Sequence, residues 1–257
     1  MRISILQTDI IWENKEDNLN RLRNKLEELR GKTDIAILPE MFSTGFTMRS
    51  KELAEPVDGY TITTLRSLAV AYGIALVGSY IAYDNGHYYN RAFFLTPNSE
   101  AFYYDKKHLF RMGHEEEYFS AGDKKIIIPY QGWNICLLVC YELRFPVWSR
   151  NVQNEYDLLI YVANWPTARR LVWDTLLAAR AIENMTYVCG ANRVGTDGNK
   201  LNYNGGSAIY SPKGKAIAMA TDDQEDIITM DLSLDQLNAF RQKFPVWLDA
   251  DKFEIQS

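Results

Sequence analysis

Two runs of apolar residues constrain this chain more than any other feature. Ile135-Cys136-Leu137-Leu138-Val139 and Leu158-Leu159-Ile160-Tyr161-Val162 are apolar at almost every position. A strand with one wet face alternates apolar and polar residues, so a continuous run must be covered on both faces. The chain therefore needs a sheet with further layers on each side of it. Leu19, Leu22, Leu26 and Leu29 supply one such cover. Their spacing places them on one face of a helix over about 14–30, with Gly31 as its stop. A second helix is expected over about 60–72, closed by Gly73. Others are expected near 144–154, 168–183 and 233–242. Short strands are expected at 3–9, 35–38, 74–82, 89–96, 101–104, 125–130, 132–139, 158–162, 186–191, 205–210, 215–220 and 225–230. Asp84-Asn85-Gly86 marks a tight reversal between two of them. Helices and strands interleave with no repeat or linker, which predicts one α/β domain over residues 1–257.

Composition excludes several classes of partner. The 257 residues carry 28 basic and 33 acidic side chains, a formal charge of −5, with no basic run. Nucleic acid is not an expected partner, and neither is an anionic membrane surface. No stretch reaches the roughly 20 apolar residues that span a bilayer. The N-terminus is polar again by Thr8, so no secretory signal is read and a cytoplasmic location is expected. Three cysteines, at 136, 140 and 189, are not a disulfide framework. Histidines 87, 108 and 114 show no zinc-type spacing with them, and no metal or other cofactor is expected.

Three residues could carry chemistry. Cys140 ends an apolar strand and is followed at once by Tyr141, Glu142 and Arg144. A nucleophile can be held rigidly there, with its thiolate aided by the amides of a following helix; the plainer reading is an inert buried thiol, which suits Cys136 and Cys189. Glu40 follows Pro39 at the end of another apolar strand. It is either a solvated loop carboxylate or a general base in a partly dry pocket. Lys106 follows a short strand in a charged run, and is either a surface lysine or a cation facing the oxyanion of an acyl intermediate. Residues 107–124 show no period and read as a functional or surface loop.

Five stretches, in order along nearly the whole chain, resemble the nitrilase superfamily of carbon–nitrogen hydrolases. They are Leu38-Pro39-Glu40 with Thr44-Gly45-Phe46; Tyr104-Asp105-Lys106-Lys107-His108-Leu109-Phe110; the Glu-rich loop ending in Ala121-Gly122-Asp123; Cys140-Tyr141-Glu142-Leu143-Arg144-Phe145-Pro146; and Ala178-Ala179-Arg180-Ala181-Ile182-Glu183-Asn184 with Asn192-Arg193-Val194-Gly195. The resemblance implies a four-layer α-β-β-α sandwich and a homodimer. It implies Cys140 as nucleophile, Glu40 as general base, and Lys106 with the backbone amide of Tyr141 around the oxyanion. It also implies a second glutamate in the loop before Gly122. Glu115, Glu116 and Glu117 all stand there; comparison with the smaller amidases favours Glu115, and with aliphatic amidases Glu117. Two positions depart from the family pattern: Glu142 stands where aspartate is common, and Ala121 where proline commonly precedes the glycine.

Within the superfamily the chain is most similar to the omega-amidase branch. The shared stretches are His108-Leu109-Phe110-Arg111-Met112, Arg144-Phe145-Pro146-Val147-Trp148-Ser149-Arg150 and Tyr161-Val162-Ala163-Asn164-Trp165-Pro166. That branch hydrolyses the terminal amide of 2-oxoglutaramate or 2-oxosuccinamate. A small amide bearing a carboxylate needs a cationic partner at the far end of the pocket; Arg144 is the first candidate and Arg111 the second. Phe42, Phe110, Tyr118, Tyr141 and Trp165 are candidate walls. Rival readings are an aliphatic amidase, an N-carbamoyl-amine hydrolase or a nitrilase on the same fold, a Cys–His dyad through His108 or His114, and a catalytically silent interaction protein.

Overall fold

A computed structural model describes residues 1–255. Two six-stranded sheets form its centre. The first contains β1 (Arg2–Gln7), β2 (Ile35–Ile37), β3 (Ala75–Asp84), β4 (His87–Leu95), β5 (Ala101–Asp105) and β14 (Asp226–Asp231), in the order β14-β1-β2-β3-β4-β5. The second contains β6 (Ile127–Tyr130), β7 (Trp133–Val139), β8 (Leu158–Val162), β9 (Tyr187–Ala191), β12 (Ala208–Tyr210) and β13 (Ala216–Met219), in the order β13-β12-β9-β8-β7-β6. Their centres are parallel, β1-β2-β3 and β7-β8-β9, with antiparallel pairs at both edges. A two-stranded ribbon, β10 (Val194–Thr196) and β11 (Asn202–Asn204), stands apart from both.

Strand alternation shows how the layers stack. Ile3, Ile5, Ile35, Ile37, Ala75, Val77, Ala92 and Phe94 face the second sheet, in one buried cluster with Ile135, Leu137 and Leu159. Their neighbours Leu6, Ala36, Leu76, Phe93 and Leu95 face the opposite way. There they meet Leu19, Leu22, Leu26 and Leu29 of α1 (Lys15–Leu29) and Ile62, Leu65 and Leu68 of α3 (Tyr60–Tyr72). The short α2 (Ser50–Leu53) lies between those helices in sequence. On the far side α4 (Arg170–Asn184) lays Trp173, Leu177 and Ala181 on the second sheet, and α5 (Leu234–Lys243) adds Leu237. The result is the α-β-β-α sandwich expected from the resemblance, and it explains why the central strands are apolar on both faces.

Local signals account for most boundaries. Asn14 caps α1 by accepting a hydrogen bond from the Asp17 amide. Gly73 ends α3 in the left-handed region, φ 68°. One expected element is absent: no α-helix occupies 144–154. A short 3-10 turn runs over Cys140–Arg144 and another over Val152–Asn154, with Gln153 in the left-handed region. Phe145 (φ −111°, ψ 86°) already leaves the helical region, and Gln153 and Asn154 both have positive φ, so the segment cannot run as one helix. Among the described residues, no helix is long and apolar enough to cross a membrane.

Candidate active site

β7 delivers Cys140 to the edge of the second sheet, and the chain turns there at once. Cys140 has φ 48°, a left-handed conformation that is strained for any residue with a Cβ. Buried polar groups hold this turn. The Glu142 carboxylate accepts from the amides of Val139 (2.8 Å), Lys107 (3.0 Å) and His108 (3.3 Å) and from the Tyr104 hydroxyl (2.5 Å). Arg180 donates to the Leu143 carbonyl at 2.7 Å. Glu142 thus ties the turn after β7 to the segment after β5 that carries Lys106. The turn is too short to act as a helix N-terminus, so the expected helical help to a thiolate is missing.

Glu40, Lys106 and Glu115 arrive from three separate loops and are shut off from solvent. Lys106 Nζ donates to Glu40 Oε1 (3.0 Å) and to both Glu115 oxygens (3.0 and 2.9 Å). The Phe110 amide donates to Glu115 Oε2 at 2.6 Å. Asn164, just past β8, gives its amide to Glu40 Oε2 (3.0 Å) and its side-chain NH2 to the Glu40 carbonyl (2.5 Å), and its own carbonyl lies 3.8 Å from Cys140 Sγ.

The charges follow from this packing. Burial alone pulls the Lys106 pKa down, but Glu115 and Glu40 outweigh it and raise the net value, so the ammonium is retained. Burial raises Glu115, with Lys106 opposing and Glu40 adding to the rise. The Cys140 thiol lies well above its ordinary value because it is buried and faces Glu40, with Lys106 pulling against both. The resting sulfur is therefore a thiol beside a carboxylate.

Glu40, Lys106, Cys140 and Asn164 form the floor of a cavity of about 220 Å³, with Glu115 behind Lys106. Phe110, Tyr141, Arg144 and Trp165 line it, as the sequence suggested, and so does Arg169. The Arg144 guanidinium lies 5.2 Å from the Trp165 ring centre, and that of Arg169 lies 5.3 Å from Phe110. Among the described residues neither arginine has a carboxylate partner. Asp197, Asn199 and Tyr203, from the ribbon of β10 and β11 and its loop, also line it; Asp197 accepts from the Asn199 and Leu201 amides and the Tyr203 hydroxyl.

Several expected residues lie elsewhere. Phe42 is buried against Phe93 in the helix-facing core, because the chain after Glu40 turns it away from the cavity. Tyr118 is 45% exposed and outside the lining; its backbone amide donates to the Glu115 carbonyl and its carbonyl accepts from Ser50 Oγ. Arg111 is on the surface near Glu116. His108 stacks on Phe145 and His114 pairs with Glu117 in solvent; neither lines the cavity, so no Cys–His dyad forms. Of the three loop glutamates only Glu115 enters the site. Among the described residues, no group of three His, Cys, Asp or Glu side chains is placed to hold a metal. Sequence reasoning missed Asn90, Asn164 and Arg169. Asn164 carried the same signal as Cys140, a polar residue directly after an apolar run; the other two carried none.

A family model described as carbon-nitrogen hydrolase matches residues 2–242. The chain belongs to the carbon–nitrogen hydrolase family. Among relatives of this hydrolase, Omega-amidase YafV of Escherichia coli (strain K12) is 42% identical over 255 residues, covering 99% of this chain and 98% of the relative. The 2-oxoglutaramate amidase of Bacillus subtilis (strain 168) is 30% identical over 254 residues, covering 97% of each. A crystal structure of XC1258 from Xanthomonas campestris, a CN-hydrolase superfamily protein with an arsenic adduct in its active site, superposes with TM-score 0.97 at 39% identity, covering 100% of this chain and 99% of that one. The resemblance of this hydrolase to the omega-amidase branch, drawn from its motifs, is thereby borne out.

Proposed function

We propose that this hydrolase cleaves the terminal amide of small 2-oxo-dicarboxylate monoamides, such as 2-oxoglutaramate and 2-oxosuccinamate, to the 2-oxo acid and ammonia. One observation carries the reading. A single cavity has a thiol, a carboxylate and an ammonium at its floor, and two guanidinium groups without carboxylate partners in its wall. The floor suits attack on an amide carbonyl, and the guanidinium groups suit a substrate carboxylate. The likeness to omega-amidase YafV and to the 2-oxoglutaramate amidase supports the same choice.

In this reading Glu40 takes the Cys140 proton as sulfur bonds to the amide carbon. The carbonyl π pair moves to oxygen, where Lys106 Nζ and the Tyr141 amide face the negative charge. The tetrahedral intermediate collapses, Glu40 returns its proton to the departing nitrogen, and ammonia leaves a thioester on Cys140. Water then gives a proton to Glu40 and attacks the thioester carbon. Collapse of that second intermediate releases the 2-oxo-dicarboxylate, and Glu40 reprotonates the sulfur. Glu115 grips Lys106 through both oxygens and fixes where its ammonium points. The raised Cys140 pKa supports proton transfer concerted with attack over a preformed thiolate. The homodimer implied by the resemblance and the cytoplasmic setting expected from the sequence belong to the same reading; size-exclusion chromatography tests the dimer.

The deciding assay is ammonia release by the wild type and Cys140→Ala from 2-oxosuccinamate, 2-oxoglutaramate and neutral amides of similar length. The expected outcome is turnover of the carboxylate-bearing amides by the wild type alone, with a substrate-derived mass adduct on Cys140. Turnover by Cys140→Ala, or an adduct on Cys136 or Cys189, sinks the nucleophile. Equal rates on neutral amides sink the substrate class.

A further inference from the structure

Asn90 lies in the middle of β4, fully buried, and touches both carboxylates of the site. Its Nδ2 donates to Glu40 Oε1 at 2.7 Å and to Glu115 Oε1 at 3.0 Å. Ser79, fully buried on β3, lies diagonally across the ladder: Ser79 pairs with Ala92, and Asn90 with Ile81. Both side chains therefore emerge on the same face of the sheet.

Counting protons fixes the direction of every bond. The Met41 amide donates to Ser79 Oγ at 2.8 Å. The one hydroxyl proton of Ser79 then goes to Asn90 Oδ1, 2.9 Å away. With its oxygen committed to Ser79, the Asn90 amide has only N–H groups to turn toward the carboxylates. The reverse orientation would set an amide oxygen against two carboxylate oxygens and leave the serine proton unused. The chain of donors starts at the residue next to Glu40, and Met41 itself is held in the left-handed region at φ 44°. The turn that carries Glu40 is thus closed into a ring through Ser79 and Asn90.

We propose that Ser79 and Asn90 are positioning residues for the reaction: together they hold Glu40 by one oxygen, leave the other for the Cys140 proton, and bridge Glu40 to Glu115. The inference rests on the reading of Glu40 as general base. Oε1 is taken by Asn90 and Lys106, while Oε2 receives one amide, that of Asn164, and keeps a lone pair free. Two carboxylates in a site shut off from water repel each other, and N–H donors shared between them offset that repulsion together with Lys106. The titratable groups facing the pair are Lys106 and Cys140. Arg91, next along β4, is bound to Asp84 and Asp105. Removing donors from an ionised carboxylate raises its pKa, so the acid limb of the rate profile moves to higher pH when this pair is broken.

The test compares full-length wild type, Asn90→Ala, Ser79→Ala and Glu40→Gln. Ammonia release from 2-oxosuccinamate and inactivation by iodoacetamide are both followed from pH 5 to 9. For Asn90→Ala the expected result is a fall in kcat of roughly 10- to 100-fold, the span of a lost bond to a charged group. KM changes little, and the acid limb moves up by about one pH unit in both assays. Ser79→Ala removes only one hydroxyl, and its shift has the same sign and a smaller size. It decides the matter on its own if Asn90→Ala does not fold. Unmoved acid limbs, or losses confined to KM or to the fraction of folded enzyme, overturn the positioning role. Turnover by Glu40→Gln overturns the general base instead. An inactive Glu40→Gln beside unmoved limbs overturns the Ser79–Asn90 proposal alone.

Discussion

The two ends of the cavity are built on opposite principles. At the floor, Glu40 and Lys106, backed by Glu115 and Asn90, are fully buried and bonded into one cluster, and the chain has already satisfied their charges. In the wall, Arg144 is exposed and Arg169 half-buried; they rest on aromatic faces and keep their donors free. A group saturated by its neighbours is fixed in place and can serve a reaction that needs constant geometry. A group left unsaturated is available to whatever enters. In the proposed reaction this contrast separates the chemistry from its selectivity: one set of residues would break the amide, and another would choose which.

The strongest way to break this division is to remove the cation that joins the floor. Lys106→Ala leaves two buried carboxylates without their shared partner. It should cost about 3–5 kcal/mol in urea unfolding, and turnover should fall by roughly 10³-fold or more. An unchanged unfolding midpoint means the floor is not held by charge. The wall should answer differently. Arg144→Ala and Arg169→Ala should each lower kcat/KM for a carboxylate-bearing amide by roughly 10- to 100-fold, leave a neutral amide unaffected, and change stability by no more than about 0.5 kcal/mol. Equal losses on both substrates would merge the two ends into one functional unit.

Alkaline titration sharpens the comparison at a smaller scale. Burial pushes the Cys136 thiol up to about 12 from an ordinary 9.0. Above pH 9 the unfolded chain loses this proton while the folded chain keeps it. Stability is thus complete below pH 9 and declines as pH rises toward the folded value, by at most about 1.4 kcal/mol per pH unit for this group. Cys136→Ala, followed by urea unfolding between pH 8 and 11, should show a shallower decline than the wild type; an identical slope removes Cys136 as its source. The smallest effect belongs to Tyr118, half exposed and outside the cavity. Tyr118→Ala should leave kcat, KM and, within about 0.5 kcal/mol, stability unchanged; a raised KM would return Tyr118 to the wall.

Much of this was legible before any coordinates. The apolar runs at 135–139 and 158–162 required covering layers, and Asp84-Asn85-Gly86 marked the β3–β4 hairpin. Polar residues directly after apolar strands led to Glu40 and Cys140, and Asn164 could have been found in the same way. What stayed hidden depends on where a chain turns. Phe42 sits two residues from Glu40 and yet faces the helix layer, because the turn that aims the carboxylate inward aims the ring outward. Asn90 and Ser79 look like ordinary strand residues until two strands are set in register. Arg169 has no local mark; its place in the cavity follows from where α4 begins. The β10–β11 ribbon has three residues per strand, too few to show a period, and the missing helix over 144–154 gave way to turns pinned by Glu142 and Arg180.

Gly122 lies outside the cavity lining, yet it restricts how this scaffold can be altered. Its amide donates to the Lys106 carbonyl at 2.9 Å, and a Cβ added there would fall 2.1 Å from the Asp105 carbonyl oxygen. Any side chain at 122 must push on the backbone that presents the lysine. A mutational scan confined to cavity residues would pass over this position. A loop transplanted from a relative brings the buried ammonium into register only if it carries an unadorned α-carbon at that point, so the loop's freedom to vary in length or charge ends one residue short of where it looks harmless.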